Sequence, residues 1–176
     1  MGFIKNILKK RSLRRHASDV PTEILPLGRI RSTVAVIDVQ DSSFDACKQS
    51  ILCFFKEYDL KGSIFFLDFR KISNEERLIT SIQTTITRKD VNWYGRPSRD
   101  KLNVLEEAAP DLFISLLGEP DFTLEFLART SRAKFKIGRL QTADKTFDMV
   151  ISDPSGKTLS EAESFLAMRG FLERIQ

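Results

Sequence analysis

Thr33-Val-Ala-Val-Ile-Asp-Val39 and Ser63-Ile-Phe-Phe-Leu-Asp-Phe69 are the two stretches on which the fold turns. The first is a β-branched apolar run too continuous for a strand with one wet face, which predicts a central strand of a parallel sheet, and the other is the second strand. Gln40-Asp41-Ser42-Ser43 closes the first run, and Ser42 or Ser43 can cap the helix that follows. Phe44, Cys47, Ile51, Phe54, Phe55 and Tyr58 then recur at helical spacing as far as Leu60-Lys61-Gly62, where the glycine is placed for a C-cap. Strand, helix and strand within about 37 residues make a βαβ unit with a right-handed crossover.

The same alternation continues outward. Ser73-Asn-Glu-Glu76 has capping-box spacing and opens a helix with Leu78, Ile79, Ile82 and Ile86 on one face. Val91-Asn-Trp-Tyr94 reads as a short strand ended by Gly95 and Pro97, and Leu102 to Ala108 as a helix stopped before Pro110. Asp111 to Leu117 is another buried strand, Phe122 to Arg129 a helix, and Phe135 to Leu140 and Phe147 to Ile151 are strands. Ser160 to Ile175 is a last amphipathic helix, buried through Phe165, Leu166, Met168, Leu172 and Ile175. The predicted fold is a single α/β domain: a doubly wound, mostly parallel sheet with helices on both faces, a Rossmann-like three-layer sandwich. The expected organisation is a basic amphipathic helix over residues 1–18, a linker over 19–30 marked by Pro21, Pro26 and Gly28, and the α/β domain over 31–176.

Charge is distributed unevenly. Residues 1–18 hold Lys5, Lys9, Lys10, Arg11, Arg14 and Arg15 and no acid, while the remaining chain has 22 Lys and Arg against 24 Asp and Glu. The formal +4 thus belongs to the arm, and a body without a basic track argues against nucleic-acid binding. Phe3, Ile4, Ile7 and Leu8 follow the spacing of one helix face. Such a helix can pack on its own domain, meet a protein partner or a second copy, or make a weak peripheral membrane contact. No apolar run is long enough to span a bilayer. The charge persists to Arg15 where a secretory leader needs its apolar region, and Asn6 breaks the myristoylation pattern. Cys47 and Cys53 point to different faces of their helix, so they do not bridge, and a reducing, cytoplasmic setting is expected.

Ligands of open α/β sheets bind beyond the carboxyl ends of the strands, at the point where strand order reverses. Asp38 and Asp41 follow the first predicted strand, Asp68 and Arg70 the second, and Arg139 a later one. Adjacent strands would let Asp38 and Asp68 form a carboxylate pair suited to a divalent cation or to acid–base work; the alternative is that each caps a nearby backbone amide. Arg88, Trp93, Tyr94 and Arg96 gather aromatic and cationic groups around a glycine–proline turn, the residue types that anchor interfaces. No glycine-rich phosphate cradle is present, and His16, the only histidine, lies in the arm, which rules out an internal Ser-His-Asp triad and histidine-rich zinc sites. No cofactor and no metal site is expected.

Arg88 to Pro97, Asp111-Leu-Phe-Ile-Ser-Leu and Ser131-Arg-Ala-Lys-Phe-Lys-Ile-Gly138 resemble a family of small uncharacterised Bacteroidetes proteins, a domain of unknown function. The last two segments are also similar, locally, to the passage from an apolar strand to an Ala-Lys-Phe-Lys-Ile-Gly strand in heptosyltransferase-type glycosyltransferases, which implies the fold more than the activity. The expected function is a non-catalytic interaction protein. The alternatives are a small enzyme or ligand-binding domain for a phosphorylated or glycosyl compound, and a peripheral membrane protein anchored by the basic helix.

Overall fold

The computed structural model describes residues 2–71 and 81–175. The elements are α1 (Gly2–His16), β1 (Ser32–Asp38), α2 (Phe44–Glu57), β2 (Lys61–Asp68), β3 (Thr85–Thr87), α3 (Arg99–Ala108), β4 (Leu112–Ser115), α4 (Phe122–Thr130), β5 (Phe135–Gly138), β6 (Met149–Val150) and α5 (Glu161–Leu172). Among the described residues the strands form one six-stranded, all-parallel sheet in the order β3-β2-β1-β4-β5-β6. The capping box expected at residues 73–76, with Leu78 and Ile79, lies outside the described residues.

β1 sits at the centre of the sheet, and Thr33 to Ile37 are all buried. Successive side chains point to opposite faces, so the strand needs a cover on each side. Ala35 and Ile37 enter one core with Ile51 and Phe54 of α2 and Phe165, Met168 and Leu172 of α5. Val34 and Val36 enter the other with Leu102 and Leu105 of α3, Leu124, Phe126 and Leu127 of α4, and Leu13 of α1. The result is the three-layer α/β sandwich expected. Phe54 and Phe165 close the first core edge-to-face, centroids 5.7 Å apart, which locks α2 to α5. At the amino edge, Asp111 accepts hydrogen bonds from the backbone N–H groups of Arg31 (2.9 Å) and Ser32 (3.1 Å) and from Lys134 Nζ (2.7 Å), tying the starts of β1, β4 and β5. Residues 19–30 add Leu25 and Ile30 to the α2/α5 core.

Several local expectations need correction. Gly62 is not the C-cap of α2. The helix stops at Glu57, Asp59 takes the left-handed conformation (φ 51°), and Gly62 lies inside β2. Its missing side chain makes room for Phe55, whose Cδ2 would stand 2.0 Å from a Cβ at that position. Ile86 is not on a helix but in β3, fully buried, while Ile82 stands on an exposed turn before it. Val91 to Tyr94 is not a strand: Val91 makes a single antiparallel bridge to Pro97 across a turn in which Gly95 adopts φ 97°. Leu166 is not buried but 57% exposed on the outer side of α5.

Gly62→Ala should therefore destabilise the chain by about 1–3 kcal/mol, the usual cost of overpacking. Combining it with Phe55→Leu should recover part of the loss, because the ring is what the new methyl meets. Urea denaturation of both variants tests this; additive losses would contradict it.

Candidate functional site

The sheet order reverses between β1 and β4, and a cavity of about 670 Å³ opens beyond their carboxyl ends. Asp38, Asp41, Glu119, Asp121, Asp153 and Glu161 line it, with Arg139 the one cation among the described residues that do. The acids have a common origin. In a parallel α/β sheet the helices after the strands start at this edge, and each start leaves backbone N–H groups without helical partners. Asp121 accepts from Leu124 N at the head of α4 (2.8 Å). Asp38 accepts from Gln40 N (2.8 Å), and Asp41 from the Ser43 amide (2.8 Å) and hydroxyl (2.6 Å). Ser43 Oγ in turn accepts from Ala162 N of α5 (3.0 Å). The crevice is acidic because these turns and helix heads converge on it.

Asp38 and Asp68 do not form a carboxylate pair. The register places Asp38 beside Leu67, so Asp68 is one residue further along and faces the other side of the sheet. Asp68 is held by Arg70 in a fork (Nε 2.8 Å, Nη2 2.9 Å). Arg139 is buried and committed: its guanidinium donates to Leu116 O (3.1 Å), Leu159 O (2.7 Å) and both Asp153 oxygens (3.0 and 2.8 Å). It clamps the end of β4, the turn after β6 and the approach to α5. Arg88 donates to Phe69 O (2.6 Å) at the end of β2. Among the described residues no group of three or more His, Cys, Asp or Glu is arranged to hold a metal ion.

Sequence reasoning missed Glu161. It is 2% exposed and its two carboxyl oxygens accept from Asp38 N (3.0 and 3.1 Å). Burial, reinforced by Asp41 and Asp38, pushes its pKa up to about 8. Asp38 is shifted upward as well, chiefly by burial. An acid in the first turn of a helix ordinarily faces water and the helix dipole; only the packing of α5 against the end of β1 makes this one a buried group. Cys47, also buried, has its thiol pushed up to about 12, whereas Cys53 is exposed.

The second group of candidates comes together elsewhere. The Trp93 turn is organised by Asn92, whose side-chain oxygen accepts from Tyr94 N (3.2 Å) and Arg96 N (2.9 Å). Trp93 stays 61% exposed, with its ring edge-on to Tyr94 (5.4 Å), and Tyr94 meets Phe122 of α4 (6.1 Å). Arg96 reaches His16 of α1 (Nη2 to Nε2, 3.2 Å), and His16 lies against Phe126 (5.6 Å). Lys9 Nζ stands over the Phe122 ring at 4.6 Å. Ser12 and Leu13 are the buried residues of α1.

The inward face of α1 is thus Lys9, Ser12, Leu13 and His16. The expected apolar face is turned the other way: Phe3, Ile4 and Ile7 are 79%, 63% and 48% exposed, and only Leu8 is half-buried. Leu13, four residues beyond Lys9 and off the Phe3–Ile7 stripe, was the one sequence signal for the true contact. Lys10, Arg11, Arg14 and Arg15 are exposed, and Lys5 is half-buried. A second cavity, about 620 Å³, lies between α1 and the carboxyl ends of β4 and β5, walled by Lys9, Lys10 and Leu13 on one side and by Leu117, Leu140 and Phe147 on the other.

Glu161 sets a pH dependence. Its folded value near 8 exceeds the ordinary 4.5, so the folded chain binds the extra proton between those limits. Stability should fall as pH rises through that window, by at most about 1.4 kcal/mol per pH unit, and level off above it. Glu161→Gln keeps an acceptor for the Asp38 amide and should flatten the slope in urea melts taken across the window. An unchanged slope would contradict the assignment.

No curated protein and no solved structure matches the chain. A family model does match, over residues 2–165, a span that includes α1, the sheet and the start of α5. The chain belongs to a family of unknown function (DUF6913).

Proposed function

We propose that the chain is a non-catalytic interaction protein that docks through the outward face of α1, with the Trp93 turn beside it. The observation that carries this is the orientation of one helix. α1 is fixed to α4 by Lys9, Leu13 and His16, with Ser12 buried on the same side, and this leaves Phe3, Ile4 and Ile7 in water with basic residues around them. Exposing large apolar side chains side by side on a helix that could bury them is the mark of a surface meant to be covered. In this proposal residues 1–18 are the docking element, 19–30 connect it, and 31–176 form the scaffold, in the cytoplasm of a Bacteroidetes cell. The free thiols Cys47 and Cys53 support a reducing setting.

A second reading, ligand binding in the crevice beyond β1 and β4, is favoured by the cavity of about 670 Å³. Its carboxylates repel a phosphorylated compound, and they suit a neutral glycosyl compound whose hydroxyls donate to them. Asp68 and Arg96 are not among its lining residues.

A diazirine side chain at position 4 should cross-link to another molecule in cells, while the same probe at position 13 should cross-link only within the chain, to α4. Ile4→Ser with Ile7→Ser should abolish contact while shifting stability by no more than about 0.5 kcal/mol per site, since both residues are exposed. Absence of any intermolecular product from position 4 would contradict the proposal.

A further inference from the structure

We propose, resting on the docking surface above, that its partner is an anionic lipid surface. α1 runs antiparallel to α4. Ser18 N donates to Arg129 O at the tail of α4 (2.8 Å), His16 meets Phe126, and Lys9 meets Phe122, the first residue of α4. Residues 2–8 therefore extend past the head of α4, a reach of about 10 Å at the helical rise. Interfacial helices sink their apolar side chains about 5–10 Å into the surface, and a segment clear of α4 can lay its side chains there. Phe3, Ile4 and Ile7 occupy this projecting half, and all three are exposed.

The cations stand behind them on the same side. At roughly 100° per residue, Arg11 and Arg14 continue the Phe3–Ile4–Ile7 stripe, and Lys10 and Arg15 flank it. All four are exposed, and residues 1–18 contain no acid. An apolar tip followed by a cationic half fits an acyl boundary under acidic headgroups, where each Lys or Arg near the surface adds to the attraction. A second copy fits poorly, because pairing two α1 faces sets their cations against each other. Asn6 of the overhang also lines the cavity between α1 and β4/β5, so the docked tip lies at the carboxyl edge of the sheet.

The test is co-sedimentation of the purified full chain with phosphatidylcholine vesicles, alone or mixed with phosphatidylglycerol, at low and raised salt. Binding to the mixed vesicles should exceed binding to the neutral ones by on the order of tenfold and weaken with salt. Ile4→Ser/Ile7→Ser and Arg11→Gln/Arg14→Gln should each lose on the order of tenfold in affinity with unchanged thermal unfolding. No binding at low salt, equal binding to both vesicles, or variants that bind like the parent would overturn the proposal. The position-4 cross-link separates the two levels. Protein adducts without vesicle binding remove the lipid partner and leave the docking surface; neither adducts nor binding removes both.

Discussion

Val34, Ala35, Val36 and Ile37 of β1 have no exposed face, and the rest of the molecule is arranged to keep it so. Burying side chains of this size is worth about 1.5–3 kcal/mol each for the larger ones, but only if both sides of the strand are covered. That requirement puts α2 and α5 on one face and α3 and α4 on the other. It also requires parallel neighbours joined by crossovers long enough to cover the faces. β1 enters between β2 and β4 because the chain winds outward from it in both directions, and the crevice beyond β1 and β4 is a consequence of that winding.

The same geometry explains the chemistry of the carboxyl edge. Helix heads and strand-end turns collect there, and they recruit Asp38, Asp41, Asp121 and Ser43 as acceptors. Glu161 goes further and joins the head of α5 to the end of β1 at the expense of a buried carboxyl that holds its proton to about pH 8. Arg139, just after β5, uses its charge on Asp153 and two carbonyls. Groups that look reactive in isolation are here engaged in closing the ends of secondary structure, which is why the crevice carries the weaker functional case.

The central strands, the βαβ unit and the three layers were legible because continuous apolar runs and helical spacing are local properties. Elements decided by a distant neighbour were not. Gly62 looked like a helix stop, yet its role comes from the ring of Phe55 lying across it. Ile86 had helical spacing from Ile82 but pairs in register with Leu67 as a strand residue. Asp38 and Asp68 end neighbouring strands, and a one-residue offset in register turns them to opposite faces. In α1 the apolar stripe was legible and its direction was left open, because the choice between Phe3–Ile4–Ile7 and Lys9–Ser12–Leu13–His16 depends on what α4 and the Trp93 turn offer: two aromatic rings and Arg96.

That choice of face is what turns four positive charges, Lys10, Arg11, Arg14 and Arg15, and three apolar side chains into a surface. A cation over Phe122 and a histidine between Phe126 and Arg96 hold α1 more specifically than an apolar stripe would, and they leave the stripe free. Thiol reactivity along the helix reads the orientation directly, in a Cys53→Ser background where Cys47 is buried. Cysteines introduced as Ile4→Cys and Ile7→Cys should react at rates close to those of an unstructured peptide, and Ser12→Cys and Leu13→Cys should be strongly protected. Position 13 reacting as fast as position 4 would contradict the account.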